Sequence, residues 1–206
     1  MTRVAVVVGN PKPHSRTYLA AVGLADRIRA SLRHGTGPSL LSTSGGALPV
    51  DSSAPFVVDL ADLGPALLDW SDADVIRVVE QVSSADLVIV ASPTYKATYT
   101  GLLKLFLDRF ASDALRGTIA VPLMLGAGPG HALAPELSLR PVLVELGASV
   151  PTPALYVLDG AYAEPAAYDG WLERALPLLN DLLDPAKDGA TSSASAHQHP
   201  NTGVSA

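Results

Sequence analysis

The chain contains no cysteine, which excludes disulfides, thiol nucleophiles and thiolate metal sites together. Charged residues are sparse, at 17% of the total, and the balance is acidic, with 14 Lys and Arg against 20 Asp and Glu for a net charge of -6. Nucleic acid and anionic membranes each require a basic face, so neither is expected as a partner. No apolar run approaches the roughly 20 residues that a membrane-spanning helix needs. The run Val4 to Val8 follows Arg3 but is too short for a signal-peptide core, and Asn10-Pro11-Lys12 ends it. These absences predict a soluble, cytoplasmic protein.

What remains is an apolar-rich chain, 48% of 206 residues, long enough to bury a full core and suited to one domain. Val4 to Val8, Leu87 to Val90 and Thr118 to Leu125 are uninterrupted aliphatic runs, the pattern of strands covered on both faces. Phe56 to Leu60 is a further candidate, and Val150 to Leu158 reads as an edge strand because of its two prolines. Helical periodicity fills the intervals at Thr17 to Leu32, Asp72 to Val82, Thr100 to Phe110, Gly130 to Leu146 and Pro165 to Leu183. Ser71 with Asp74 three residues on is a near match to a capping box. Five βα units predict an α/β fold, a five-stranded parallel sheet with helices on both faces in three layers. The third helix also carries more apolar surface (Tyr99, Leu102, Leu103, Leu105, Phe106, Leu107, Phe110) than one sheet face can cover, so part of it is expected to meet another subunit.

Two segments lie outside this plan. Residues 34–54 are rich in Gly and Ser and read as a mobile insert. The tail 184–206 has almost no bulky apolar residue and is expected to be disordered, leaving 1–183 as the folded domain. His197 and His199 lie in that tail and read as solvated rather than metal-binding.

Three strand ends concentrate small polar groups, aromatics and glycines. The first, Gly9-Asn10-Pro11-Lys12-Pro13-His14-Ser15-Arg16-Thr17, enters a helix whose free N–H groups and positive dipole end favour an anion. The hydroxyls of Ser15 and Thr17 and the Arg16 guanidinium suit a phosphate monoester. Ser15 as a plain helix cap and Arg16 as a surface residue is an equally good account of this loop alone. Neither the nucleotide P-loop nor the Gly-x-Gly-x-x-Gly spacing is present. The second, Ser92-Pro93-Thr94-Tyr95-Lys96, offers a flat aromatic and backbone amides; the third, Gly126-Ala127-Gly128-Pro129-Gly130-His131, allows close backbone approach. Its glycines could equally just make the turn, and His131 could be structural. No carboxylate pair, Ser/His/Asp order or His/Glu metal spacing stands out, so no catalytic side chain and no metal site is assigned, and the chemistry is expected to come from a bound cofactor.

The first loop, the block Ala91-Ser92-Pro93-Thr94-Tyr95-Lys96-Ala97-Thr98-Tyr99-Thr100-Gly101-Leu102-Leu103-Lys104 and the later Leu139-Arg140-Pro141-Val142-Leu143 resemble the NAD(P)H-dependent FMN reductase family, nearest to its sulfonate-utilisation flavin reductases. The resemblance runs from residue 3 to about 160. It implies a flavodoxin-like fold, a homodimer or homotetramer, and FMN with NADPH or NADH as cofactors, hydride passing from nicotinamide C4 to flavin N5. It further implies that Ser15, Arg16 and Thr17 hold the FMN phosphate, that Pro93, Thr94, Tyr95 and Lys96 line the flavin ring, and that Gly126, Gly128 and Gly130 face the ring's pyrimidine side; Asn10, Pro11 and His131 are counted with them as cofactor-binding. Reduced flavin would pass to a partner monooxygenase, or stay bound and reduce a quinone, azo dye or metal oxyanion. A flavodoxin-like electron carrier without NAD(P)H activity is the alternative of another class. One departure bears on flavin release: Leu137 stands where that branch has a tyrosine, in a helix with a one-residue π-type insertion.

Overall fold

A computed structural model describes residues 2–34 and 54–184 of the chain. Most of the Gly/Ser-rich insert and nearly all of the tail therefore lie outside the described residues. Five parallel strands, β1 (Val4–Val8), β2 (Phe56–Asp59), β3 (Leu87–Pro93), β4 (Ile119–Gly126) and β5 (Leu155–Leu158), form one sheet in the order β2-β1-β3-β4-β5. The helices are α1 (Arg16–His34), α2 (Leu60–Leu63), α3 (Ala73–Ser83), α4 (Gly101–Leu107), α5 (Arg140–Glu145) and α6 (Ala166–Leu182).

Strand alternation divides the core in two. Val4, Val6, Val8, Ile89, Val121 and Leu123 point to the face covered by α1 and α6, where Leu24, Ile28, Trp171 and Leu179 pack on them. Ala5, Val7, Val88, Val90, Ala120 and Met124 point the other way, toward Val75 of α3, Leu103 and Phe106 of α4 and Leu143 of α5. Each fully buried Leu or Ile contributes on the order of 1.5–3 kcal/mol, so β1, buried at all five positions, is held from both sides.

The element boundaries differ from expectation where caps and prolines intervene. Asp72, not Ser71, caps α3, its Oδ1 accepting from the Val75 N–H at 2.9 Å, while the Ser71 hydroxyl bonds to Asp69. The β5 strand starts only at Leu155, after both prolines, and lies at the sheet edge as their presence requires. The single helix expected over Gly130 to Leu146 is three pieces: a 3-10 turn at Pro129–His131, a π turn at Pro135–Leu139, and α5. On α4, Leu103, Phe106 and Leu107, with Phe110 just beyond, are buried within this one chain, which leaves Leu105 as the exposed large apolar residue of that helix. The apolar excess read from the sequence is thus mostly absorbed internally.

Gly9, the residue after β1, sits against α4 so closely that a Cβ there would lie 2.4 Å from Leu103 Cβ and 3.2 Å from its Cα. Because the obstacle includes helix backbone, Gly9→Ala is expected to destabilise the protein by about 1–3 kcal/mol, read as a lower urea midpoint. An unchanged midpoint would show that α4 moves away at no cost.

Candidate functional site

The order β2-β1-β3 reverses direction between β1 and β3, and in open α/β sheets ligands bind outside the carboxyl ends of strands at such a reversal. Here β1, β3 and β4 are consecutive, so the three loops singled out in the sequence leave the same edge side by side. Short hydrogen bonds hold them in register. The Gly9 N–H donates to Ala91 O at 2.8 Å and the Thr94 N–H to Leu125 O at 2.6 Å.

The first loop is shaped from within. Asn10 is buried; its side-chain amide donates to Thr17 Oγ1 at 3.1 Å and its Oδ1 accepts the Lys12 N–H at 2.9 Å. His14 has a left-handed backbone, φ 50°, and its N–H donates to Asp59 Oδ2 at 2.9 Å, which ties the loop to the end of β2. Ser15 accepts from the Tyr18 N–H at 3.2 Å and so does cap α1, while the N–H groups of Arg16 and Thr17 in the first turn lack intrahelical acceptors by helix geometry. Pro11, Lys12, Pro13 and His14 are exposed around this turn. Arg16 Nη1 is ion-paired with Asp159 Oδ2, beyond the end of β5.

The second loop depends on Ser92 and Thr100. Ser92 Oγ accepts the Thr100 N–H at 3.0 Å and donates to Pro93 O at 2.8 Å. The Thr100 hydroxyl donates to Gly9 O at 2.5 Å and accepts the Leu103 N–H at 3.1 Å, capping α4. Between them Tyr95 and Thr98 exchange backbone hydrogen bonds across a tight turn in which Lys96 (φ 51°) and Ala97 (φ 67°) are left-handed. Among the described residues His14, Lys96 and Ala97 are three of four non-glycines with positive φ, and such strain clusters at functional sites. Pro93 and Thr94 are half-buried, and Tyr95 and Lys96 exposed. Thr94 Oγ1 is enclosed, near the Tyr156 hydroxyl, and makes no well-formed hydrogen bond.

The third loop separates the predicted residues. Gly128, Gly130 and His131 lie at or near the surface, but Gly126 is buried in β4, where a Cβ would fall 1.9 Å from Tyr156 Oη. Gly126 makes room for Tyr156, whose hydroxyl donates to Gly128 O at 2.6 Å and fixes the turn. Burial pushes the Tyr156 hydroxyl's pKa up, with Thr94 acting in the opposite sense, so it stays a donor at neutral pH. Beyond this loop the π turn is present although Leu137 replaces the tyrosine; the Leu137 side chain is exposed.

Sequence reasoning placed Ser92 in the second loop without a bonding role, and missed Asp59, Thr100, Tyr156 and Asp159 as parts of the site. Asp59 and Asp159 each lie at the end of a strand on the same edge, a signal that was available; the bonding roles of Ser92 and Thr100 needed the register. The donor set around the first turn of α1 suits a phosphate group, and the second and third loops suit a flat ring bearing acceptors. FMN combines both.

A doubly wound sheet in this order, with its polar loops at the β1/β3 reversal, defines a flavodoxin-like protein. A solved structure described as the apo form of an NADH:FMN oxidoreductase, EMOB, has the same fold, with a TM-score of 0.69 at 29% identity over 90% of this chain and 91% of that one. The family described as NADPH-dependent FMN reductase matches residues 2–163. A relative in Pseudomonas aeruginosa named FMN reductase (NADPH) is 34% identical over 68% of this chain and 73% of its own length. Its namesake in Escherichia coli K12 is 38% identical over a shorter stretch, 52% of this chain and 54% of that protein. The chain belongs to the NADPH-dependent FMN reductase family; it is an oxidoreductase that uses FMN with NADPH or NADH. Among the described residues no helix is long and apolar enough to cross a membrane.

Glu136, in the π turn, clamps the segment before β5. Its carboxylate accepts the Ala154 N–H at 2.9 Å and pairs with Arg140, which also donates to Val150 O at 2.5 Å. Burial works against the charged form, but the bonds from Ala154 and Arg140 outweigh it and hold the carboxyl below its ordinary value of 4.5. A lowered folded pKa stabilises the protein above 4.5, and that contribution disappears as pH falls through the folded value. Urea unfolding across pH 3 to 7 is therefore expected to show a steeper loss below about pH 4.5 in the wild type than in Glu136→Gln; parallel curves would rule the clamp out.

Proposed function

We propose that residues 1–183 form the working unit of a cytoplasmic flavin reductase, in which NAD(P)H reduces FMN and the reduced flavin is handed to a partner monooxygenase. The observation that carries this reading is the convergence of three loops at adjacent strand ends, braced by Ser92 and Thr100. In it Ser15, Arg16, Thr17 and the first turn of α1 receive the phosphate, and Asn10 and Pro11 shape that turn. Pro93, Thr94, Tyr95 and Lys96 flank the ring, while Gly128, Gly130 and His131 border its pyrimidine edge and Gly126 acts indirectly through Tyr156. FMN, when bound, supplies the hydride acceptor. The protein's own part is then to orient the ring and to offer donors where negative charge develops, which requires no side-chain acid or base.

Arg16 and the loop Pro11 to His14 are exposed, although Ser15 and Thr17 are buried, and an open rim of this kind supports flavin exchange. Turnover of free FMN with NADPH or NADH in stoichiometric excess is the expected result; activity confined to one flavin equivalent per chain would favour the bound-flavin reductase of quinones or related acceptors. Arg16→Ala is expected to weaken FMN binding by about 1.5–3 kcal/mol and to leave riboflavin nearly unaffected in fluorescence titrations. An equal loss for both flavins would remove Arg16 from the phosphate site.

We infer a homodimer or homotetramer as well. Leu105 (39% exposed) lies on α4, Tyr95 (52%) on the loop before it, Leu68 (66%) on the 3-10 turn Gly64–Leu68 that packs beside it, and Trp70 (68%) just beyond that turn. Such residues are the usual material of a subunit contact. Light scattering at micromolar concentration is expected to give a multiple of the chain mass and Leu105→Glu to lower it; a wild-type monomer would contradict the assignment.

A further inference from the structure

Arg16 is the cation nearest the first turn of α1, and its Nη1 is engaged by Asp159. The pair spans the sheet edge, from the helix after β1 to the 3-10 turn after β5. Asp159 has no second bond among the described residues to hold it in place, and both side chains are substantially open to solvent, 58% for Arg16 and 39% for Asp159. An ion pair of that kind is worth little in itself. A phosphate dianion offers the same guanidinium a stronger, charge-assisted partner; it either draws Arg16 away from Asp159 or shares the fork of N–H donors with it, and in both cases it sits near a carboxylate of like charge. A flavin without the phosphate displaces nothing.

We propose that Asp159 is a positioning residue that competes with the flavin phosphate for Arg16, so that it lowers affinity for FMN, shortens its residence and narrows the preference for FMN over riboflavin. This rests on the reading of the α1 turn as the phosphate site. The role is a release device on the phosphate, separate from the ring and from the π turn that carries Leu137. It concerns affinity alone and leaves hydride transfer untouched.

The test is equilibrium and stopped-flow binding of FMN and riboflavin to the flavin-free full chain, by fluorescence quenching, for wild type, Asp159→Asn, Asp159→Glu and Arg16→Ala, alone and with Asp159→Asn. Asp159→Asn is expected to bind FMN about two- to fivefold more tightly, the size of an exposed ion pair, through a slower off-rate. Riboflavin should be unchanged, Asp159→Glu should behave as wild type, and the gain should shrink in the Arg16→Ala background. Weaker FMN binding by Asp159→Asn would overturn the proposal, because Asp159 would then be aiming Arg16 at the phosphate. An equal gain with and without Arg16 would also overturn it in favour of direct charge repulsion. A wild type that binds FMN and riboflavin equally would instead refute the phosphate site itself, whereas a wild type that prefers FMN with an inert Asp159→Asn would refute the competition alone.

Discussion

The site depends on one hydroxyl. Thr100 donates to the carbonyl of Gly9 at the end of β1, accepts from the Leu103 N–H to start α4, and through its own N–H leans on Ser92 in β3. With these bonds the first and second loops and the α4 helix share a single buried junction, at which Gly9 is too close to Leu103 for any side chain. Buried polar groups are expensive when unpaired, and here each has its partner: Gly9 O accepts the Thr100 hydroxyl, while Ser92 Oγ accepts the Thr100 N–H and donates to Pro93 O. That is how a pair of strained, exposed turns, with left-handed His14, Lys96 and Ala97, can be held in place by a rigid sheet.

The second support comes from the sheet's outer strands. Asp59 at the end of β2 holds the His14 amide, and Tyr156 in β5 holds the Gly128 carbonyl. The central strands therefore supply the loops and the flanking strands steady them.

Much of this was legible in the sequence because burial on both faces leaves an aliphatic run with no polar interruption. Val4 to Val8 is matched residue for residue by β1, and each of the three loops begins where such a run gives way to polar residues and glycine. Legibility failed where local chemistry is ambiguous. Asp72 and Ser71 are both good caps, and only the path of the chain after Asp69 decides between them. The helix after β4 looked continuous because side-chain periodicity does not register a π turn, which adds one residue to a turn while the apolar stripe continues through Leu139 and Leu143. Gly126 illustrates a second ambiguity. A glycine beside a ligand site and a glycine beneath a tyrosine look alike in one dimension, and Tyr156 lies on a different strand, far along the chain.

If the ends of β1, β3 and β4 build one flavin site with its phosphate end on α1, a crystal structure of the full chain with FMN will show the phosphate within hydrogen-bonding distance of Ser15, Thr17 and the first-turn amides of α1, with the ring between the loops at Pro93 to Lys96 and Gly128 to His131. A flavin whose phosphate lies away from α1, or whose ring meets neither of those loops, would contradict it.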